Sequence, residues 1–249
     1  MRVLMPLPDR DFDVTEVAVP WHELVSHGHS VTFATEEGAR PAADPLLLRG
    51  VIFGQLGAAP EPKSLYEKLE REDASFAAPM RYRDIDVRAF DGLLLPGGHA
   101  PGMRQYLGSE PLQSKIAAFW QLDRPVGAIC HGVLPLARAT HQGKSVLAGS
   151  KTTCLPKYME RSAYWLTFWK LGRYYRTYPE YVEDEVKRAL AHPAEQFVLG
   201  PRTLSQRGTA SDDRAAFVVQ DGRYVSARWP GDAYLFAKAF RGLLENGAA

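Results

Sequence analysis

The chain has 249 residues, 45% of them hydrophobic, with 30 Lys+Arg against 29 Asp+Glu. That length and apolar content suit one large α/β domain. The near-neutral charge excludes an electrostatic nucleic-acid binder, and the lack of a basic run excludes a polybasic membrane patch. Two cysteines, Cys130 and Cys154, match neither a disulfide framework nor a zinc spacing, so a reduced, cytoplasmic protein is expected.

The chain opens MRVLMPLPDRDFDV, an apolar run too short for an export signal, and no window reaches the length of a membrane span. Arg2–Leu7 reads as a first strand, Val14–His27 as a helix stopped by Gly28, and Ser30–Ala34 as a second strand. This β-α-β opening predicts a parallel sheet. Residues 38–62, rich in Gly, Pro and Ala, form a long excursion, followed by a helix over Lys63–Arg71. Asp91–Pro96 is a buried strand ending on Gly97-Gly98. Pro111–Leu122 is a helix with proline at its first turn. Val126–Ile129 is the next buried strand, and Val133–Ala139 continues as helix. Residues 158–181 are crowded with aromatic side chains, and Glu180–Leu190 has helical character. Ala216–Gln220 and Tyr224–Ala227 flank Asp221-Gly222, a hairpin signal, before a closing helix over Asp232–Leu244. With no repeat or linker, residues 1–249 read as a single domain carrying an aromatic-rich insertion at about 155–210.

The chemistry concentrates where strands end. In Ala128-Ile129-Cys130-His131-Gly132 a strand runs straight into a helix, a turn that projects its central residue as a nucleophile. The unpaired amides and dipole at a helix N-terminus favour an anion there, so Cys130 is expected to be an acidified thiol with His131 beside it. The plainer alternative is a buried structural cysteine. The loop Pro96-Gly97-Gly98-His99 lets backbone approach a ligand, and the amides of Gly98 and His131 are placed to share one oxyanion. Glu16, in an otherwise apolar helical run, is the acid expected to enter the same pocket. Asp13 better fits simple charge compensation at the helix start.

Glu16, the Leu94-Leu95-Pro96-Gly97-Gly98-His99 loop, the Cys130-His131-Gly132 elbow and the closing Gly222–Pro230 stretch together resemble the ThiJ/PfpI family of the class I glutamine amidotransferase-like superfamily. The resemblance runs from about residue 2 to 244. It implies a flavodoxin-like three-layer sandwich, with a mostly parallel sheet between helices. It implies Cys130 as nucleophile, Glu16 as the carboxyl bonded to its sulfur, and His131 as the neighbouring imidazole. Glu16 helps such a thiolate only if it is protonated and donates a hydrogen bond. In several family branches an acid some thirty residues on, or one from a second subunit, orients the histidine; the resemblance implies Glu160 in that role here, with a solvated glutamate beside Arg161 as the alternative. The insertion departs from compact members, and it serves as a lid, a dimer surface or plain packing.

Two motifs are decoys. His22 and His27 are five residues apart, about 140° around a helix, and so do not converge on a metal. His192-Pro193-Ala194-Glu195 misses the distal spacing of true glutamine amidotransferases by one residue. There is no phosphate-binding loop, so neither metal nor nucleotide cofactor is expected. The resemblance implies a homodimer acting on a small molecule: glutathione-independent conversion of methylglyoxal to lactate. A cysteine amidase or peptidase and a redox-sensing or holdase-type stress protein are the alternatives.

Overall fold

The computed structural model describes residues 1–50, 57–203 and 205–246. Its central sheet is built from β1 (Arg2–Pro6), β2 (Ser30–Thr35), β3 (Met80–Arg81), β4 (Gly92–Leu95), β5 (Val126–Ile129), β6 (Val218–Asp221) and β7 (Tyr224–Ala227). The spatial order is β6-β7-β5-β4-β1-β2-β3, and every pairing is parallel except the β6–β7 hairpin. The fold is the flavodoxin-like α/β sandwich that the β-α-β opening and the buried strands lead one to expect. Both β4 and β5 are buried along their whole length, as suits strands covered on both faces.

On one side of the sheet, α1 (Val14–Ser26) packs against α2 (Pro60–Glu72) and the closing helix α7 (Ala233–Asn246). Gly127 of β5 admits α7: a Cβ there would sit 2.9 Å from Phe240 and 3.0 Å from Phe236. On the other side, α3 (Glu110–Trp120), α4 (Leu134–Arg138) and α6 (Val182–Ala189) pack in series. Helix α2 starts three residues earlier than its apolar spacing suggests, because Pro60 and Pro62 are tolerated in a first turn. Helix α4 is shorter than expected: residues Cys130–Val133 form a 3-10 turn before it.

The 155–210 region contains α5 (Lys157–Leu171), α6 and a loop between them. Plain packing does not describe α5. Trp165, Leu166, Phe168 and Trp169 are 44–66% exposed, while Met159, Glu160 and Thr167 are buried. Residues 51–56 of the 38–62 excursion, and Leu204 of the insertion, lie outside the described residues. No helix among the described residues is long and apolar enough to cross a membrane.

Candidate active site

Parallel pairing of β4 with β5, Leu95 opposite Ala128, brings the two strand ends side by side. The chain leaves β4 as Pro96-Gly97-Gly98-His99 and leaves β5 as Cys130-His131-Gly132. Cys130 has φ +59°, the left-handed region that a cysteine occupies only when its surroundings hold it there. Gly132 makes that turn possible: a Cβ on it would fall 2.1 Å from the carbonyl oxygen of Leu95. Gly97 is equally constrained, with Glu16 Oε2, the His131 amide and the Ile129 carbonyl each 2.8 Å from where its Cβ would be.

Asp13 caps α1, accepting from the amides of Thr15 (2.8 Å) and Glu16 (3.2 Å). One turn in, Glu16 is fully buried, and its Oε2 accepts from the Gly97 amide at 2.8 Å. Its Oε1 is buried with no other bond of normal geometry, which leaves that oxygen for a proton and the neighbouring thiol. Burial, then the charge of Asp13, push Glu16 well above the ordinary carboxylate range; the Gly97 amide and the Cys130 thiol only partly oppose them. That direction favours the protonated carboxyl, the form able to donate a hydrogen bond. Asp13 itself is raised by burial to about 6.

The surroundings of the thiol oppose what its helix-start position favours. Burial, Glu16 and Asp13 push Cys130 well above the usual thiol range, and only the His131 amide pulls it down. The turn after Cys130 is 3-10 and α4 has five residues, so the favourable dipole is small while desolvation is complete. The helix-start dipole favours the thiolate and burial opposes it.

His131 is fully buried, with Nδ1 3.5 Å from the Cys130 sulfur. Its Nε2 lies 3.2 Å from the Thr177 hydroxyl, which donates to the His99 carbonyl at 2.6 Å. Since that hydroxyl has one hydrogen and gives it to His99, it accepts from Nε2–H. The tautomer follows: Nε2 carries the proton, and Nδ1 faces the thiol as an acceptor. Burial, then His99 and Arg138, lower His131 to about 3, so the imidazole is neutral at pH 7.

The expected orienting acid is not in that position. Glu160 Oε2 accepts from the Val182 amide at 3.2 Å, and Oε1 lies 3.7 Å from Arg176. Burial raises it to about 7. Glu160 lines the cavity near Cys130 without bonding His131; Thr177, supplied by the loop after α5, holds the imidazole instead. Sequence reading missed Thr177 because its signal is spatial only: 46 residues separate it from His131.

Of the glycine-loop residues, Gly97 spends its amide on Glu16, whereas Gly98 and His99 line the cavity with Cys130. His99 stacks on Tyr175 at 4.1 Å between ring centroids, with Tyr174 edge-on at 5.4 Å, and burial lowers it to about 4. The cavity measures about 240 Å³. Its rim includes Trp229, held by a fully buried Arg228–Asp232 pair (2.8 and 2.9 Å) on either side of it. The histidines of the first decoy motif take local partners: His22 approaches Ser26, and His27 Nδ1 lies 2.7 Å from the Glu23 carbonyl oxygen.

The sequence matches the ThiJ/PfpI family-like description over residues 7–201. An uncharacterized Schizosaccharomyces pombe protein is 29% identical over 99% of this chain and 85% of its own length. A deglycase of Pyrococcus abyssi is 26% identical over 98% of this chain and all of its own. In fold, the crystal structure of glyoxalase III from Candida albicans superposes with a TM-score of 0.71 at 19% identity, covering 98% of this chain and 97% of that one.

Proposed function

The chain belongs to the ThiJ/PfpI family, and from that premise we propose that it is a cysteine-dependent enzyme of the glyoxalase or deglycase type, acting on small reactive carbonyls. One observation carries the reading: the Cys130 thiol sits between the His131 imidazole and the Glu16 carboxyl, all three buried where the strands end. A pre-formed thiolate is unnecessary when the electrophile is an aldehyde. The sulfur attacks the aldehyde carbon as its proton passes to His131 Nδ1, and Glu16 donates to the carbonyl oxygen, giving a neutral hemithioacetal. His131, having returned its proton, or the Glu16 carboxylate then removes the C1 hydrogen. The resulting enediol is reprotonated at C2, leaving a thioester of Cys130. Water releases the 2-hydroxy acid and the thiol, so the sum is 2-oxoaldehyde plus water to 2-hydroxy acid. With methylglyoxal the product is lactate.

Deglycase chemistry would begin with the same attack of Cys130 on a carbonyl-derived carbon, as the name of the Pyrococcus relative suggests. Amide hydrolysis is less well supported, since His131 is partnered by a hydroxyl rather than by the carboxylate that would stabilise an imidazolium. The test is covalent. After brief exposure to methylglyoxal and a rapid acid quench, peptide mapping should find the adduct on Cys130 and none on the deeply buried Cys154. Adducts confined to surface arginines would overturn the reading.

A holdase-type role draws on a different observation, the exposed Trp165, Leu166, Phe168 and Trp169. If that face captures unfolded chains, replacing Trp165 and Trp169 by serine abolishes suppression of client aggregation. Unchanged suppression removes that role.

A further inference from the structure

We infer that the site is built for 2-oxoaldehydes whose substituent is a bulky apolar group, an aryl ring or branched alkyl chain, in preference to methylglyoxal. The inference rests on the glyoxalase reading above and specifies its substrate class. The groups able to do chemistry, Glu16, His131 and Cys130, come from α1 and the strand ends. Much of the remaining wall is apolar, with Leu47 and Ala58 from the excursion and Leu155, Met159, Ala163 and Leu166 from the insertion, beside the polar Glu160, Ser162 and Thr167. These apolar side chains have no part in proton transfer; what they offer a ligand is contact area.

Size decides between candidate substituents. An apolar cavity of about 150 Å³ is enough to hold benzene. The cavity here is about 240 Å³, room for a six-membered ring together with the two-carbon head that Cys130 would attack. Methylglyoxal has five heavy atoms and would leave most of the apolar wall without a partner. A charged tail is less well served. The cation on the rim, Arg207, already lies over the Trp229 ring at 5.1 Å and offsets the charge of Asp13. Leu166 both lines the cavity and is largely exposed, so the apolar wall continues outward to the mouth. The reaction remains the balanced one: phenylglyoxal plus water gives mandelate, with the hydrogen from C1 replaced by one at C2.

The test compares kcat/KM for phenylglyoxal and methylglyoxal on the unmodified protein, without glutathione, with mandelate and lactate quantified. The expected result is a preference of at least about tenfold for phenylglyoxal, the size of effect that extra apolar contacts give in a specificity pocket. Ala163→Phe, which fills the wall from α5, should shrink that preference toward unity. Turnover of methylglyoxal with equal or weaker use of phenylglyoxal overturns the inference while leaving the glyoxalase reading intact. Turnover of neither compound overturns both.

Discussion

The ends of β4 and β5 and the segment from 157 to 181 build two sides of the same cavity by opposite means. At the strand ends the backbone does the positioning: Gly97 and Gly132 have no space for a Cβ, Cys130 is held at positive φ, and Glu16 and His131 are fully buried. The 157–181 segment works through side chains. Its helix exposes Trp165 and Trp169, and its following loop sends in Thr177 and Tyr175. The thiol, imidazole and buried carboxyl thus sit on tightly constrained elements, while the histidine's partner and much of the apolar wall come from the 157–181 segment.

Substitutions that break this division should differ in size. The largest structural effect is expected just outside both regions, where Asp232→Ala leaves Arg228 buried without its partner. A loss of about 3–5 kcal/mol in denaturant unfolding is expected, and a loss under 1 kcal/mol would show that the rim is not held by this pair. Within the strand-end region, His131→Gln removes a buried imidazole whose proton affinity is low. Below about pH 6.5 the unfolded chain protonates that imidazole and the folded one does not until about pH 3, so His131 makes stability fall as pH falls. Going from pH 7 to 5, the variant should lose about 2 kcal/mol less than the parent. Asp13 and Glu160, raised to about 6 and about 7, act with the opposite sign: their contribution is lost as pH rises through those values. They are common to both proteins and cancel in the difference.

Thr177→Val tests the link between the regions. It leaves Nε2–H of His131 unpartnered in the interior, at a cost of about 1–3 kcal/mol, and frees the ring to change tautomer. Turnover should drop about tenfold or more, and Thr177→Ser should restore it. Nitrogen-15 histidine spectra should show His131 protonated on Nε2 and not titrating between pH 8 and 5; a shift to Nδ1–H in the parent protein would contradict the assigned tautomer. The smallest stability effect belongs to the outer face of α5, where Trp165→Ser should change stability by no more than about 0.5 kcal/mol. A larger loss would mean that this face is covered in solution.

Legibility in the sequence followed the same division. The strands ending at Leu95 and Ile129 and the Cys130-His131 elbow announce themselves through contiguous residues, because buried parallel strands are apolar runs and sharp turns demand small neighbours. Glu16 stood out as an acid in an apolar stripe. Thr177 could not, since a threonine in an aromatic loop carries no local mark of the imidazole it will meet. Glu160 has the sequence separation of an orienting acid, yet the first turn of α5 directs it to Val182 and Arg176. For the thiol, a local turn suggests a dipole that favours the anion, whereas the desolvation that opposes it is a property of the whole fold and has no local mark.

The most direct test of the proposed chemistry is to incubate the protein and its Cys130→Ser variant with methylglyoxal in the absence of glutathione and quantify lactate. Lactate from the parent alone, with Glu16→Gln slowed but still able to form the Cys130 adduct, is the expected outcome. Equal lactate from parent and variant, or none from a parent whose Cys130 is readily alkylated, would contradict a cysteine-dependent glyoxalase.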